Sequence, residues 1–246
     1  MNRRKHAASS LAAALALGLF AIPHDASAQG IMISPVNVVL APGEAAATLT
    51  IANGEDREIS FQIRAFAWQE DRTGDWQLAR TDELLVSPPL GTIAPGATQI
   101  ARLVLNKAPQ DRELAYRILI DEIPPPARAG VVHVALRLSI PVFAEPQGIT
   151  APHVQWRIAT QGSRAWLVAL NDGTRHQSVG DVALRAANGR PVQLKSETPP
   201  YVLAGGEHRW SIQLQGLLLS PGSVMRLTAL GDGAAIDQQV RVDGGP

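Results

Sequence analysis

Outside its first 28 residues the chain has four histidines, His133, His153, His176 and His208. These are the side chains best suited to proton transfer or metal binding near neutral pH. A hydrolytic metal site needs two or three such ligands at HxH or HExxH spacing, and neither spacing occurs, nor does an acidic cluster sit beside any of the four at ligand spacing. Histidines at the surface or satisfied by internal hydrogen bonds are the expected reading. Asp121 and Glu122 are adjacent acids, but neighbours on a strand point to opposite faces and cannot work as a carboxylate pair. There is no GxSxG, and the "GDGAA" of Gly231–Ala235 is a turn with no strand-to-helix unit around it to make a phosphate loop. The chain has no cysteine, which excludes thiol catalysis and thiolate metal sites and leaves burial to hold the fold without disulfides. The expectation is a protein that is not an enzyme and uses no cofactor or metal.

The elements that would position these residues are strands. Turn pairs such as Pro42-Gly43, Asn53-Gly54, Pro95-Gly96, Asn188-Gly189 and Asp232-Gly233 punctuate short runs of period-two patterning. "ISFQIRAFAW" sets Phe61, Ile63 and Ala65 against Gln62, Arg64 and Phe66. "YRILIDEIP" sets Tyr116, Ile118 and Ile120 against Arg117, Leu119 and Asp121. With no helical stripe, the fold class is all-β, a sandwich or barrel architecture. The start, Arg3-Arg4-Lys5, a short apolar run and Ala26-Ser27-Ala28, reads as a secretory signal peptide over 1–28, cleaved after Ala28. The remainder divides into two domains, 29–144 and 149–246, joined at 145–148 by a link too short to be a loose tether. About seven strands are expected in the first. The 22 basic and 22 acidic side chains balance, so no charge excess points to nucleic acid or an anionic membrane, and no later segment is apolar and long enough to insert.

One segment stands out. In "VVHVALRLSIPVFAEP", Val131–Pro146, the residues Val132, Val134, Leu136, Leu138, Ile140 and Val142 take every second place. A strand over this stretch has one wholly aliphatic face, and each side chain is worth about 1.5–3 kcal/mol when fully buried. Pro141 interrupts it with a residue that cannot donate to a ladder. From the pattern alone this face belongs either to the chain's own core or to a partner's.

Several stretches together resemble the periplasmic pilus-assembly chaperones of the chaperone–usher systems, the PapD-like family. They are "ISPVNVVLAPGEAAATLTIANGEDREISFQIRAFAW", "LLVSPPLGTIAPGATQIARLVL" with Arg102, "LAYRILIDEIPP", and "ALRLSIPVFAEP" running into the hinge. Order and spacing agree over about Ile31 to Pro146. The resemblance implies a boomerang of two immunoglobulin-like β-sandwich domains. It also implies a Gram-negative periplasmic location and a function: the last strand of the first domain completes a pilin-like subunit by donor-strand complementation until an outer-membrane usher takes the subunit over. Val132, Val134, Leu136, Leu138 and Ile140 are then the subunit-binding side chains. Better-known members place an Arg and a Lys deep in the cleft to hold the subunit's terminal carboxylate. Here Asn37 and Pro141 occupy those places, which resembles the divergent branch serving archaic or spore-coat-U-like pili. Asn37, Arg117 and Arg137 are the candidate carboxylate anchors. Against this, Arg117 could pair with Asp121 or Glu122, and Arg137 has the parity of an outward-facing strand cation.

The same residues admit other readings. One is an exported β-sandwich adhesin or carbohydrate-binding protein using exposed tryptophans; another is a pilus subunit. Self-association of the empty protein through the apolar strand is a further expectation.

Overall fold

The computed structural model describes residues 30–243 apart from 72–74, 127–129, 131–132, 197–200, 215 and 217–218, and no described residue is helical. The first 28 residues, with the signal-peptide reading, and Val132 therefore lie outside the described residues.

The N-terminal half contains ten strands: β1 (Ile31–Ser34), β2 (Val38–Leu40), β3 (Ala46–Asn53), β4 (Ile59–Glu70), β5 (Trp76–Arg80), β6 (Leu84–Ser87), β7 (Leu90–Ile93), β8 (Thr98–Leu105), β9 (Leu114–Ile123) and β10 (Arg137–Ala144). This exceeds the roughly seven expected, in part because two segments each divide between two sheets. β1 and β6 lie in the sheet ordered β1-β3-β8-β6, whereas β2 and β7 lie in the sheet ordered β2-β10-β9-β4-β5, where β7 also pairs with β4. Pro35 separates β1 from β2, and Pro88-Pro89 separate β6 from β7. A residue with no N–H ends one ladder and frees the chain to enter another.

The two sheets bury a common core that includes Leu49, Ile51, Phe61, Ile63, Leu103, Tyr116, Ile118, Ile120 and Val142. The period-two faces of β4 and β9 account for this directly: Phe61, Ile63, Ile118 and Ile120 are each at most 2% exposed. Phe61 stands opposite Gly91 of β7, where a Cβ would come within 2.5 Å of its ring, so the glycine gives the aromatic its place.

The C-terminal half contains β11 (Val154–Gln161), β12 (Arg164–Asn171), β13 (Gln177–Arg185), β14 (Pro191–Lys195), β15 (Tyr201–Val202), β16 (Glu207–Gln213), β17 (Val224–Gly231) and β18 (Ala234–Arg241). They pair in the order β11-β12-β16-β14-β13-β17-β18, with β15 on β13. An Ile158–Val242 bridge brings the two ends of this path together. It encloses a second, separate core including Ile158, Leu167, Val179, Leu184, Leu227 and Val240.

A third, small cluster lies between the halves: Trp68, Phe143 and Leu203, with Trp76, Ala115 and Tyr201 against them. The short link is also held, since the Glu145 amide donates to Leu40 O at 2.9 Å and Glu145 Oε1 lies 3.5 Å from Arg175 Nε.

Phe61→Ala should destabilise the protein by about 3–5 kcal/mol, because it leaves a cavity between the two sheets. Denaturant unfolding of the purified chain measures this, and a loss below about 1 kcal/mol would contradict the packing described.

Candidate functional site

Among the described residues β10 is an interior strand over its last three residues and an edge over its first five. It pairs antiparallel with β9 throughout, from Arg137↔Asp121 to Ala144↔Leu114. β2 covers its other side only at Val142, Phe143 and Ala144, in parallel register. From Arg137 to Pro141 that side has no strand beside it among the described residues.

The backbone polarity follows from two hydrogen bonds. Leu136 O accepts from the Glu122 amide on the β9 side, and the Glu145 amide donates to Leu40 O on the β2 side, both at 2.9 Å. Since alternate residues face alternate neighbours, the even-numbered residues of β10 address β9 and the odd-numbered ones address β2 or the open edge. The backbones of Arg137 and Ser139 therefore face the open edge, and that of Pro141, which is buried, faces the start of β2. Pro141 lacks an N–H at a place where no neighbouring strand needs one, which is where a sheet tolerates proline.

The apolar face is graded along this edge. Val142 and Ile140 belong to the first core, and Leu138 packs partly against it. Leu136 is 40% exposed and Val134 76% exposed. The long strand expected from Val132 starts instead at Arg137, and residues 133–136 run on without a ladder. Their tether is Glu122, whose side chain is 1% exposed. Arg57 Nη2 donates to its Oε1 at 2.8 Å, His133 Nε2 lies 3.0 Å from the same oxygen, and the Leu136 amide donates to Oε2 at 3.2 Å. Burial opposes the charge, but these hydrogen bonds outweigh it and hold the Glu122 carboxyl below the usual glutamate range.

The carboxylate-anchor candidates fall in different surroundings. Asn37 is exposed and immediately precedes Val38, the partner of Val142, so it stands level with Pro141. Arg117 is paired with Pro141 on the other side. Arg137 has the outward parity expected of it and is bound to Asp121, which also accepts from Arg64 Nη2 at 2.6 Å. The structure thus aligns Asn37, Pro141 and Arg117 across three adjacent strands and leaves Arg137 away from them, engaged at the surface.

Arg117 is 3% exposed. It pairs with neither Asp121 nor Glu122, because those carboxylates are taken by Arg64, Arg137 and Arg57. Its guanidinium carbon instead sits 3.9 Å from the ring centre of Trp68, 4.3 Å from that of Trp76 and 5.6 Å from that of Tyr201. Its Nε and Nη2 have no hydrogen-bond partner among the described residues. Burial pulls its pKa down to about 10, so it remains a cation at neutral pH. A desolvated guanidinium held by aromatic faces, with donors to spare, can receive a carboxylate. The sequence pattern singled out Arg117 but not its aromatic neighbours; Trp68 and Trp76, on either side of one hairpin, were the available signal.

The junction also collects groups that periodicity could not bring together. His176 Nδ1 lies 2.8 and 2.9 Å from the two Glu113 oxygens, and its ring stacks on Phe143 with centroids 3.6 Å apart. His208 Nδ1 lies 3.6 Å from Glu70 Oε1, and the Leu203 amide donates to Glu70 Oε2 at 2.9 Å. Burial pushes the Glu70 carboxyl up, against the opposing pull of His208 and that amide. Both histidines are buried rather than at the surface. Among the described residues no cluster of three acidic or histidine side chains could hold a metal ion.

Comparison with known proteins agrees with this build. Residues 30–150 match the family described as pili and flagellar-assembly chaperone, PapD N-terminal domain. Over 120 residues the chain is 30% identical to chaperone protein PapD of Escherichia coli, covering 46% of this chain and 48% of that one. Over 155 residues it is 28% identical to chaperone protein LpfB of Salmonella typhimurium, covering 61% and 62%. The chain therefore spans about half to three-fifths of the length of these curated relatives. Among solved structures, the complex of the CsuC chaperone with the CsuE tip subunit, from archaic chaperone–usher Csu pili of Acinetobacter baumannii, contains a chain that superposes with a TM-score of 0.65. Identity to it is 21%, over 88% of this chain and 99% of that one. The YadV chaperone gives a TM-score of 0.60 at 21% identity, over 86% and 98%. The fold is therefore that of two immunoglobulin-like β-sandwich domains. Residues 30–150 therefore belong to the N-terminal-domain family of the PapD-like pilus-assembly chaperones.

Glu122→Gln should release residues 133–136 without unfolding either core. A carboxyl whose folded pKa is lowered stabilises above its unfolded value and stops doing so as the pH falls through the folded one. Protection of the Leu136 amide should therefore be high at pH 7, fall as the medium is acidified below the ordinary glutamate range of about 4.3, and be low at both pH values in the variant. Amide exchange checks this.

Proposed function

We propose that this protein is a periplasmic chaperone that stabilises pilin-like subunits by donor-strand complementation and delivers them to an outer-membrane usher. The observation that carries the reading is the half-open β10: an edge with outward backbone groups, continued by Leu136 and Val134 with their side chains in water. A subunit lacking one strand would pair with this edge through its backbone and take alternate side chains into its groove. Val134 and Leu136 would contribute about 1.5–3 kcal/mol each on full burial. Leu138 and Ile140 serve the chaperone's own core as well, and Val132 would extend the same face. The domains would be 29–144 and 149–246 about a hinge at 145–148, set as a boomerang, with residues 1–28 removed on export. Binding and release would need neither catalysis nor a cofactor, and an empty edge of this kind would favour self-association. Arg117, with Asn37 beside Pro141, would receive the subunit's terminal carboxylate. An adhesin reading has less support, since no tryptophan is exposed.

Val134→Glu with Leu136→Glu is the direct test, because both residues are exposed and the fold should tolerate the change. Co-expressed one at a time with pilin-like subunits of the same organism, the double variant should stay soluble with an unchanged melting temperature and recover at least tenfold less intact subunit than the unaltered chain. Undiminished recovery would end the strand-donor reading.

Arg117→Met tests the anchor. It fills the space between the indoles without an unpaired buried charge, so the empty protein should gain about 1–2 kcal/mol while subunit recovery falls. Thermal denaturation and the same co-expression assay give the two readouts.

A further inference from the structure

We propose that Trp76 is a specificity-determining residue: it keeps the Arg117 guanidinium covered in the empty protein, so that free carboxylic acids cannot occupy it and a subunit already paired along β10 can; this rests on the reading of Arg117 as the carboxylate anchor.

Arg117 is a cation shut away from anything it could bind. Its Nε and Nη2 are buried and have no acceptor among the described residues, and the same holds for the indole nitrogens of Trp68 and Trp76. Three adjoining side chains thus carry four buried donors without a partner, and each unmet donor costs stability. The guanidinium also lies away from the open edge. β9 stands between β10 and β4 in the sheet, and the two rings nearest the guanidinium belong to β4 and β5. A carboxylate from outside has no route to Nε or Nη2 until a ring gives way.

Trp76 is the ring least held. Trp68 is 2% exposed and meets the rings of Trp76, Phe143 and Tyr201. Tyr201 meets Trp68, Phe143 and His176. Trp76 meets one ring among the described residues, that of Trp68. It begins β5, an edge strand paired with β4 alone, whose other four residues are exposed. Turning outward would give its own indole N–H, and the donors of Arg117, back to water.

This cover sets a threshold. A lone acid in water gains little from one ion pair, too little to displace an indole held against a desolvated guanidinium. A subunit tied to β10 by its backbone would present its carboxylate at high effective concentration and pass the same threshold.

Phenylglyoxal, which adds to accessible guanidines, reads the cover in the free protein. Peptide mass spectrometry assigns the site, with the exposed Arg102 of β8 as internal reference. Arg117 should react roughly tenfold or more slowly than Arg102 in the unaltered chain. In Trp76→Ala, and in Trp76→Leu, which keeps an apolar side chain without an aromatic face, it should react roughly tenfold faster than in the unaltered chain. Trp76→Phe should restore the cover, and the Arg102 rate should stay the same throughout. Sodium acetate, compared with sodium chloride at equal ionic strength, should slow Arg117 relative to Arg102 in the alanine and leucine variants and not in the unaltered chain. Equal Arg117 rates in the unaltered and leucine chains would overturn the proposal by giving the cover to other groups. Acetate protection of Arg117 in the unaltered chain would overturn it too. These readouts need no subunit, so they stand apart from the anchor itself. If Arg117→Met leaves subunit recovery undiminished, the anchor reading fails and the specificity role falls with it, whatever the cover does.

Discussion

A strand edge left without a neighbouring strand among the described residues constrains much of this molecule. Unpaired backbone amides and carbonyls beside apolar side chains invite any extended chain, a second copy included. The protein confines the hazard to a short stretch. β2 is three residues long and seals the end of β10 nearest the domain junction. Pro141 removes one donor where that seal ends. Arg137, tied to Asp121, places a charge near the other end. Between them only the Arg137 and Ser139 amides face outward.

The junction behind this edge is electrostatically one-sided. Glu70, Glu113 and Glu145 come from the N-terminal half and the link, and they meet His208, His176 and Arg175 from the C-terminal half. Phe143 ties the edge strand into this arrangement by stacking on His176, one residue beyond Val142, where the cover of β2 begins. Amid these pairs Arg117 is a cation with aromatic faces for neighbours and no carboxylate partner among the described residues. Its burial is costly, and the indole rings offset only part of that cost. Such an arrangement is easier to understand at a binding site than in a purely structural core.

The all-β class and the inward faces of β4, β9 and β10 were legible in the sequence because period-two patterning reports burial on one side of a sheet. The start of β10 was not. Val134 and Leu136 continue the alternation, but a ladder needs a partner, and near them β9 offers the Glu122 side chain as well as its backbone. By the sequence Arg117 was either a carboxylate anchor or a partner of Asp121 or Glu122, yet both faces of β9 are covered there, the outer one by tryptophans from β4 and β5. Asn37 and Arg117 lie 80 positions apart in the chain, and only the register of three strands places them level. The histidines at the junction carry no motif, since each meets a carboxylate from the other half of the molecule.

That division of acids and bases bears on how the protein comes apart. If the halves separate, Glu70 and Glu113 lose their histidines, the Trp68–Phe143–Leu203 cluster opens to water, and Phe143 is stripped of its stacking partner. Phe143 lies on β10 itself, so loosening the C-terminal half also loosens the strand that carries the open edge. With no disulfide to act as a fallback, the two halves are thermodynamically coupled and should melt as one cooperative unit, although each has a core of its own.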